Sequence, residues 1–433
     1  MIEEYDVIVV GSGVGGTTVA REMAISGRKV LLLERGGRFN RMGTSLTMGL
    51  MLRRFGMTLS REGNHVTFAD NYGGASNLAA GCAFPPPASV FAPFGIDLRE
   101  EAEEARKDMR IGKLPDELVG AANLRLLDAA NAAGYHWEKL DNFIDPGTCV
   151  KGCGDCMLGC KTGAKWTARV YGDEAVRRGA DLLLHAGVTE VIVENGRAVG
   201  VRGKRLGRSF AYFGKLVVLS AGMDNTHILR RAGIREAGMG FCCDWLQFVG
   251  GMIPGITGIG SNPMTVGTLE HYETDGMVIV PVFPSWAQFL VMLGMMGPSH
   301  LLKFADFWKY TGIMVKIRDE TAGEIHAGLS FTKPITATDR KKLDKGVGII
   351  RHILREAGAR EDCILALKPS GAHPSATCRI GEVVDANLET RIRNLHCCDA
   401  SVLPSSLGAP LMWTLAALGK RLSKHLNRRL STL

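Results

Sequence analysis

The stretch DVIVVGSGVGGTTVAREMAISGRKVLLLERGG, residues 6–37, leaves this chain few folds to choose from. Val7 to Val10 are an unbroken apolar run, the pattern of a parallel strand buried on both faces. A glycine-rich turn follows, then residues of helical periodicity, then a second apolar run that ends at Glu34. Gly11, Gly13 and Gly16 fall in the G-x-G-x-x-G spacing. The first glycine permits the tight turn, the second lets backbone approach a pyrophosphate, and the third lets the helix pack closely on the strand. The helix N-terminus then offers free N–H groups to phosphate, and Glu34 stands where a carboxylate binds ribose hydroxyls. These features predict a doubly wound α/β domain that binds a dinucleotide.

Two later segments bear on which dinucleotide. LLLHAGVTEVIVENGRAVGVRG, residues 182–203, reads as two strands joined by a turn at Glu194-Asn195-Gly196. GKLVVLSAGMDNTHILRRAGI, residues 214–234, reads as a buried strand, a small-residue turn and a helix. An excursion that returns to an "SAG" strand is the habit of FAD folds of the two-dinucleotide type.

The chain carries eleven cysteines, and four lie in CVKGCGDCMLGCKTGAK, residues 149–165. Cys149, Cys153, Cys156 and Cys160 have C-x3-C-x2-C-x3-C spacing. Three short intervals let one loop wrap an iron–sulfur cluster, for which thiolates are the usual ligands. A zinc ion held by four thiolates is the rival, and free or disulfide-bonded thiols are a third reading. The N-terminus has no basic leader before its first strand, so the expected compartment is the reducing cytoplasm, where a dense thiol group reads as metal binding or redox chemistry. Cys242-Cys243 and Cys397-Cys398 are adjacent pairs. The second lies in a predicted buried strand, where packing is the expected role.

AHPSATCRIGEVVDANLETRIRNLHCCDASVLPSSLGAPLMWTLAALGKRLSKHL closes the chain. This segment resembles the C-terminal pattern of the glucose–methanol–choline (GMC) oxidoreductases, through His373, Pro374, Thr377, Cys378, Arg379, Gly381, Val384, Asp385, Asp399, Ala400, Ser401 and Pro404. YGGASNLAAG, Tyr72 to Gly81, is similar to the family's loop along the flavin. The resemblance implies FAD as cofactor, bound by Gly11, Gly13, Gly16, Glu34, Arg35, Gly74, Ser76, Asn77, Val188, Ala221, Asp399, Ala400 and Leu411. It implies hydride transfer from an alcohol, with His373 as base, a role that suits imidazole. The family usually adds a second His or Asn after "D-A-S". That position is Pro410 here, or Ala409 with a one-residue gap, and neither side chain can donate or accept. His396 and His227 read as structural. GCKTGAK resembles a segment of iron–sulfur flavin dehydrogenases of the same family, and also cysteine-bearing segments of long-chain alcohol oxidases. The first likeness implies a [4Fe–4S] centre, or a [3Fe–4S] centre on three thiols, that relays electrons to an acceptor protein or subunit.

The expected organisation is an FAD-binding domain from residues 1–85, 166–236 and 363–433, an insert with the cysteines at 86–165, and a substrate or cap domain at 237–362 on a mainly antiparallel sheet. The 433-residue length suits two packed domains. KPITATDRKKLDKGVGIIRHILREAGA is similar to the helix before the catalytic segment of long-chain alcohol oxidases, and IMVKIRDETAGEI reads as a hairpin before it. The Met- and Phe-rich stretch Val282–Phe304 fits an oily substrate cap or plain core. The net charge of +8 comes without a basic stripe interleaved with aromatics, which argues against nucleic acid. The basic tail reads as a solvated helix face, with weak attraction to an anionic membrane as the alternative. SWAQFLVMLGMMG is too short to span a bilayer. The expected function is an FAD-dependent dehydrogenase of an apolar hydroxyl compound. Its rivals are an electron-transfer flavoprotein subunit and a non-redox or light-driven lipid flavoenzyme.

Overall fold

The structure, a computed structural model, describes residues 4–328 and 330–432. The N-terminal motif folds as its pattern predicts. Strand β1 (Glu4–Val10) leads through the glycine turn into helix α1 (Val14–Ile25), and β2 (Val30–Leu33) returns parallel to β1, Val7 beside Val30 and Val10 beside Leu33. Val7, Ile8 and Val9 are fully buried, because helices cover both faces of a parallel sheet. At the turn, a Cβ on Gly11 would stand 2.1 Å from the Ser220 carbonyl oxygen and one on Gly16 2.0 Å from that of Gly11, whereas one on Gly13 would meet nothing within 4 Å. The first and third glycines permit close packing, and the second leaves a cradle open.

The main sheet has seven strands. After β3 (Asp181–Leu183) come β4 (Ala186–Glu194), β5 (Arg197–Arg205) and the long β6 (Arg208–Leu219). The order is β3-β2-β1-β6-β5-β4, with strand Leu395–Cys397 parallel to β6 on its far half. β6 serves two partners in turn: its first half pairs antiparallel with β5, its second half parallel with β1. The β4–β5 turn is the expected one. Asn195 (φ 49°) and Gly196 (φ 74°) are both left-handed, as a two-residue hairpin with the right twist requires.

A second sheet is antiparallel throughout. It orders β8 (Met277–Pro281), β9 (Tyr310–Ile317) and β7 (Trp245–Met252), edged by Leu365–Ala366 and Ser370–Gly371. Helix Ala337–Glu356 lies across it, opened by a capping box between Thr336 and Asp339. The architecture is therefore α/β with an antiparallel second sheet.

Two local expectations fail. Residues 313–325 form no hairpin: β9 stays in the second sheet, while Gly323–Ile325 joins a separate three-stranded sheet with Met239–Phe241 and Phe331–Thr332. The division falls at Asp319, a buried carboxylate that binds the amides of Cys243 and Asp244 and so holds the chain in a bend. The basic tail is also not a solvated face. It is the last turns of helix Met412–Leu430, and Lys420 is buried there among Glu22, Asp108 and Glu104. The stretch Val282–Phe304 divides between both readings. Helix Trp286–Met296 packs Phe289 and Leu293 inward and leaves Trp286, Leu290 and Val291 exposed.

Candidate active site

The antiparallel sheet brings three charged or titratable side chains to one end. Asp244 directly precedes β7, Lys316 lies on β9 opposite Leu246, and His373 follows the edge strand whose Gly371 pairs with Trp245. The Asp244 and Lys316 side chains are buried, and His373 keeps 27% of its side-chain surface accessible. One face of the imidazole is thus open.

His373 Nδ1 lies 2.8 Å from Asp244 Oδ2. A carboxylate only accepts, so Asp244 fixes the ring proton on Nδ1 and leaves Nε2 with its lone pair. Asp244 is itself fixed: Oδ1 accepts the Ser406 hydroxyl at 2.5 Å and the Gly408 amide at 3.0 Å. Gly408 has φ 64°, and a Cβ there would sit 2.5 Å from the Arg318 nitrogen, so only glycine brings this loop so close. Behind it, Lys333 Nζ and Asp319 Oδ2 form a wholly buried ion pair at 2.7 Å. The Asp319 carboxylate accepts the Cys243 and Asp244 amides, and the Asp319 amide donates to Ser406. Two buried lysines face two buried aspartates, so the charges balance within the group.

Lys316 Nζ is 3.0 Å from His373 Nδ1 and 3.3 Å from Nε2. The two nitrogens flank one ring carbon. A point nearly equidistant from both, and clear of that carbon, lies over the ring and not along either lone pair. An ammonium there favours the neutral imidazole. Burial and the Lys316 charge lower the His373 pKa, against the opposing pull of Asp244. Burial also lowers Lys316, while Asp244 pulls it back up. Burial pushes the Asp244 carboxyl up, but its bond to His373 and the nearby Lys316 outweigh it, and the net shift is downward. These directions favour an ionised Asp244 and a neutral His373.

Lys316 also lines a narrow cavity with Cys82, Phe84, Leu140, Met314 and Pro410. It is the sole charged group on an apolar wall. Pro410 lies on the same lining, so the position without a polar side chain and the Lys316 ammonium border one cavity. A charged residue inside the buried run GIMVKI, and another in FCCDWLQFV, were the signals available in the sequence.

The other expected residues gather around the glycine turn. Glu34 directly follows β2, and its carboxylate accepts Ser12 N–H and Oγ–H and the Gly36 amide. Ser12 Oγ also accepts the Gly73 amide, and a Cβ on Gly74 would be 3.2 Å from Gly13 Cα. The Tyr72–Gly81 loop therefore touches the glycine turn. Ser76 and Asn77 turn inward, Ser76 to Gly73 and Ala168, Asn77 to Asn71 and Tyr72. The Ala221 amide binds Asn225, and the Gly222 amide binds Asp399, which couples the "SAG" turn to Ala400 and the C-terminus. Leu411 precedes helix Met412–Leu430, whose first amides have no side-chain cap. Arg35 pairs with Asp70 and Asp224, and Val188 sits on β4 beside a bulge. His396 and His227 lie on other elements, away from His373; burial pushes His396 down to about 3.

The cysteine loop departs from expectation. All eleven cysteines are free thiols, and among the described residues no group of three or more His, Cys, Asp or Glu is arranged to hold a metal. Protein groups organise the loop instead. Asn262 stands between two thiols, taking Cys156 Sγ at 3.6 Å on its oxygen and offering its nitrogen to Cys149 Sγ at 3.7 Å. Cys160 Sγ accepts the Lys165 amide, and Cys153 turns to Asp155. Lys165 Nζ donates to the carbonyls of Asn77 (2.8 Å), Ala79 (2.6 Å) and Cys156 (2.7 Å). The ligand set expected of Cys149, Cys153, Cys156 and Cys160 does not assemble, and no electron relay is derived from it.

A parallel sheet with an open glycine cradle, joined to an antiparallel sheet that presents a buried Asp–His–Lys group, defines a dinucleotide-binding α/β protein. The two halves of the GMC oxidoreductase family match residues 64–262 and 316–419, and an FAD binding domain matches residues 6–51. The chain belongs to the GMC oxidoreductase family. It is 30% identical over 253 residues to an uncharacterised GMC-type oxidoreductase of Mycobacterium tuberculosis, covering 54% of this chain and 40% of that protein. It is 24% identical over 520 aligned positions to a long-chain-alcohol oxidase of Arabidopsis thaliana, covering 99% of this chain and 68% of that one. The fold matches pyridoxine 4-oxidase from Mesorbium loti with a TM-score of 0.73 at 17% identity, over 98% of this chain and 99% of that one. The matched part is thus two fifths of the Mycobacterium relative's length. No helix among the described residues is long and apolar enough to cross a membrane.

Proposed function

We propose that the protein is an FAD-dependent oxidoreductase that oxidises the hydroxyl group of an apolar alcohol. The observation that carries this reading is the apolar cavity closed by Lys316 and Pro410, with His373 held beside it by Asp244. The residues fit the cofactor: the cradle at Gly13 is open, Glu34 is preset by Ser12 and Gly36, and the uncapped C-terminal helix offers amides to an anionic ring edge. When bound, FAD supplies the hydride acceptor.

The chain's own part is to hold the alcohol and take its proton. The cavity, about 10 Å³, has room for little more than one water-sized group, so its apolar wall meets only the hydroxyl end of the substrate. Lys316, the one donor on that wall, binds the hydroxyl oxygen and stabilises negative charge growing on it. His373 Nε2 accepts the hydroxyl proton. The resulting imidazolium donates Nδ1–H to Asp244, whose carboxylate stabilises the new charge. Lys316 thus takes the place of the side chain that Pro410 cannot supply.

The test is anaerobic mixing of the FAD-loaded protein with long-chain primary alcohols and with cyclic alcohols, followed at the flavin absorbance bands. Bleaching by an apolar alcohol, and not by its short water-soluble homologues, is expected. A flavin that dithionite reduces but no alcohol bleaches would overturn the reading and favour an electron-transfer subunit. Oxygen uptake and dye reduction on the same sample then identify the electron acceptor.

A further inference from the structure

Beyond the narrow cavity lies a larger one of about 500 Å³, open to the surface. Its lining includes Phe248 and Phe289, which belong to the same apolar cluster as Cys82, Leu140 and Met314 of the inner pocket. Its mouth is framed by two elements far apart in sequence. One is helix α2 (Ser45–Met51), which contributes Leu46. The other is the cap, which contributes Trp286 and Trp308. This rim is apolar and uncovered: Leu46 is 70% exposed, Trp308 64%, and Leu302 in the same cap 83%. Single exposed apolar side chains are ordinary, but a group of them around one cavity mouth marks an interaction surface.

The one acid on the cavity lining, Asp155, is paired with Lys161, and the flanking segments are rich in cations. From Arg35 to Arg61 the chain carries six arginines and no acidic residue, of which Arg35, Arg38 and Arg53 are paired with Asp70, Asp173 and Asp224, and the cap from Phe283 to Lys309 carries two lysines against Asp306 alone. Asp306 is already paired with Lys309. Among the described residues Arg41, Arg54 and Lys303 form no ion pair, and Arg41 and Arg54 are exposed. Exposed tryptophans and leucines with unpaired cations on the same two segments match the boundary of an anionic bilayer. There the indole ring sits at headgroup depth, leucine enters the acyl region and cations meet lipid phosphate.

We propose that the face built from α2 and the Trp286–Lys309 cap docks onto an anionic lipid surface, with the 500 Å³ cavity opening toward the bilayer. Insertion is shallow, since neither element is long enough to span. Docking is read from binding alone and does not depend on the alcohol reading.

The test is co-sedimentation of the full chain, loaded with FAD, with phosphatidylcholine vesicles, with and without phosphatidylglycerol. Wild type should sediment with the mixed vesicles and about tenfold less with phosphatidylcholine alone. The pair Leu302→Glu and Trp308→Ser should lose binding to both. The pair Arg54→Glu and Lys303→Glu should lose the phosphatidylglycerol preference by about tenfold or more. Unchanged melting temperatures would show that both variants fold. Wild type that stays in the supernatant with every vesicle overturns the proposal. So does concentration-dependent dimerisation in ultracentrifugation that Leu302→Glu abolishes, since the face would then belong to a second copy.

Discussion

Lys165 and Lys316 are both buried, Lys165 beside the cysteine loop and Lys316 on strand β9. Their surroundings differ in kind. Lys165 meets three backbone carbonyls, one for each ammonium proton. Burial lowers its pKa to about 8, against the pull of Cys156 and Cys160, yet three matched acceptors hold the charged form in place. It ties the cysteine loop to the Tyr72–Gly81 loop and lines neither of the two cavities described above. Lys316 meets a carboxylate's imidazole partner on one side and an apolar cavity on the other. Its ammonium has donors to spare. A saturated buried cation is a fastener, and an unsaturated one at a cavity wall is a binding group.

The strongest way to break this comparison is at the base that Lys316 serves. His373→Ala should lower kcat by about 10²–10⁴ with the flavin spectrum intact, measured by anaerobic single turnover. Loss of only a few-fold would remove His373 from proton transfer and leave Lys316 without a catalytic neighbour.

The two lysines should next separate in stability. Lys165→Met leaves three carbonyls without a donor, at about 1–3 kcal/mol each where water cannot reach them. A loss of about 3 kcal/mol or more in denaturant unfolding is expected. Lys316→Met should cost much less, because Asp244 keeps His373, Ser406 and Gly408 as partners and methionine suits the apolar wall. Equal losses would mean that Lys316 is a fastener too.

The pH profile carries a sign. The base works when neutral, so activity rises as pH passes the His373 pKa. The Lys316 charge lowers that pKa and Asp244 raises it. Lys316→Met should therefore move the acidic limb of kcat/KM to higher pH, and Asp244→Asn should move it to lower pH, each by about one unit. Shifts in the same direction would refute the assignment of charges. Asp244→Asn breaks a buried charged group, so its fold must be checked by melting.

The legible part of this molecule was the part written in local pattern. G-x-G-x-x-G and Asn195-Gly196 each act within a few residues, and each folds as read. The Asp–His–Lys group is not local. Asp244 and His373 are 129 residues apart, and only strand register brings them together. Lys316 could be noticed as a charge in an apolar run, but nothing nearby says which way it faces. The cysteine spacing misled for the same reason. Four thiols within twelve residues look like a ligand set, yet a ligand set also needs every sulfur turned inward. Asn262, more than a hundred residues away, turns two of them to itself. The tail was misread because its acids come from α1 and helix Arg99–Asp108.

The smallest effect expected is the most direct check on the cysteine loop. Cys160 sits at φ 59° and contributes one weak acceptor, to the Lys165 amide and Thr162. Serine keeps that geometry and accepts at least as well. If the loop is fastened by Lys165 and Asn262, Cys160→Ser should change stability by less than about 1 kcal/mol and leave the visible spectrum as the flavin's alone. If the thiols instead close around iron when it is supplied, wild-type protein reconstituted with iron and sulfide should gain broad absorption beneath the flavin bands. Cys160→Ser should then lose that absorption and much of the loop's protection from proteolysis. The same substitution is nearly silent in one case and disruptive in the other, because a hydrogen-bond acceptor can be exchanged for another and a thiolate ligand cannot.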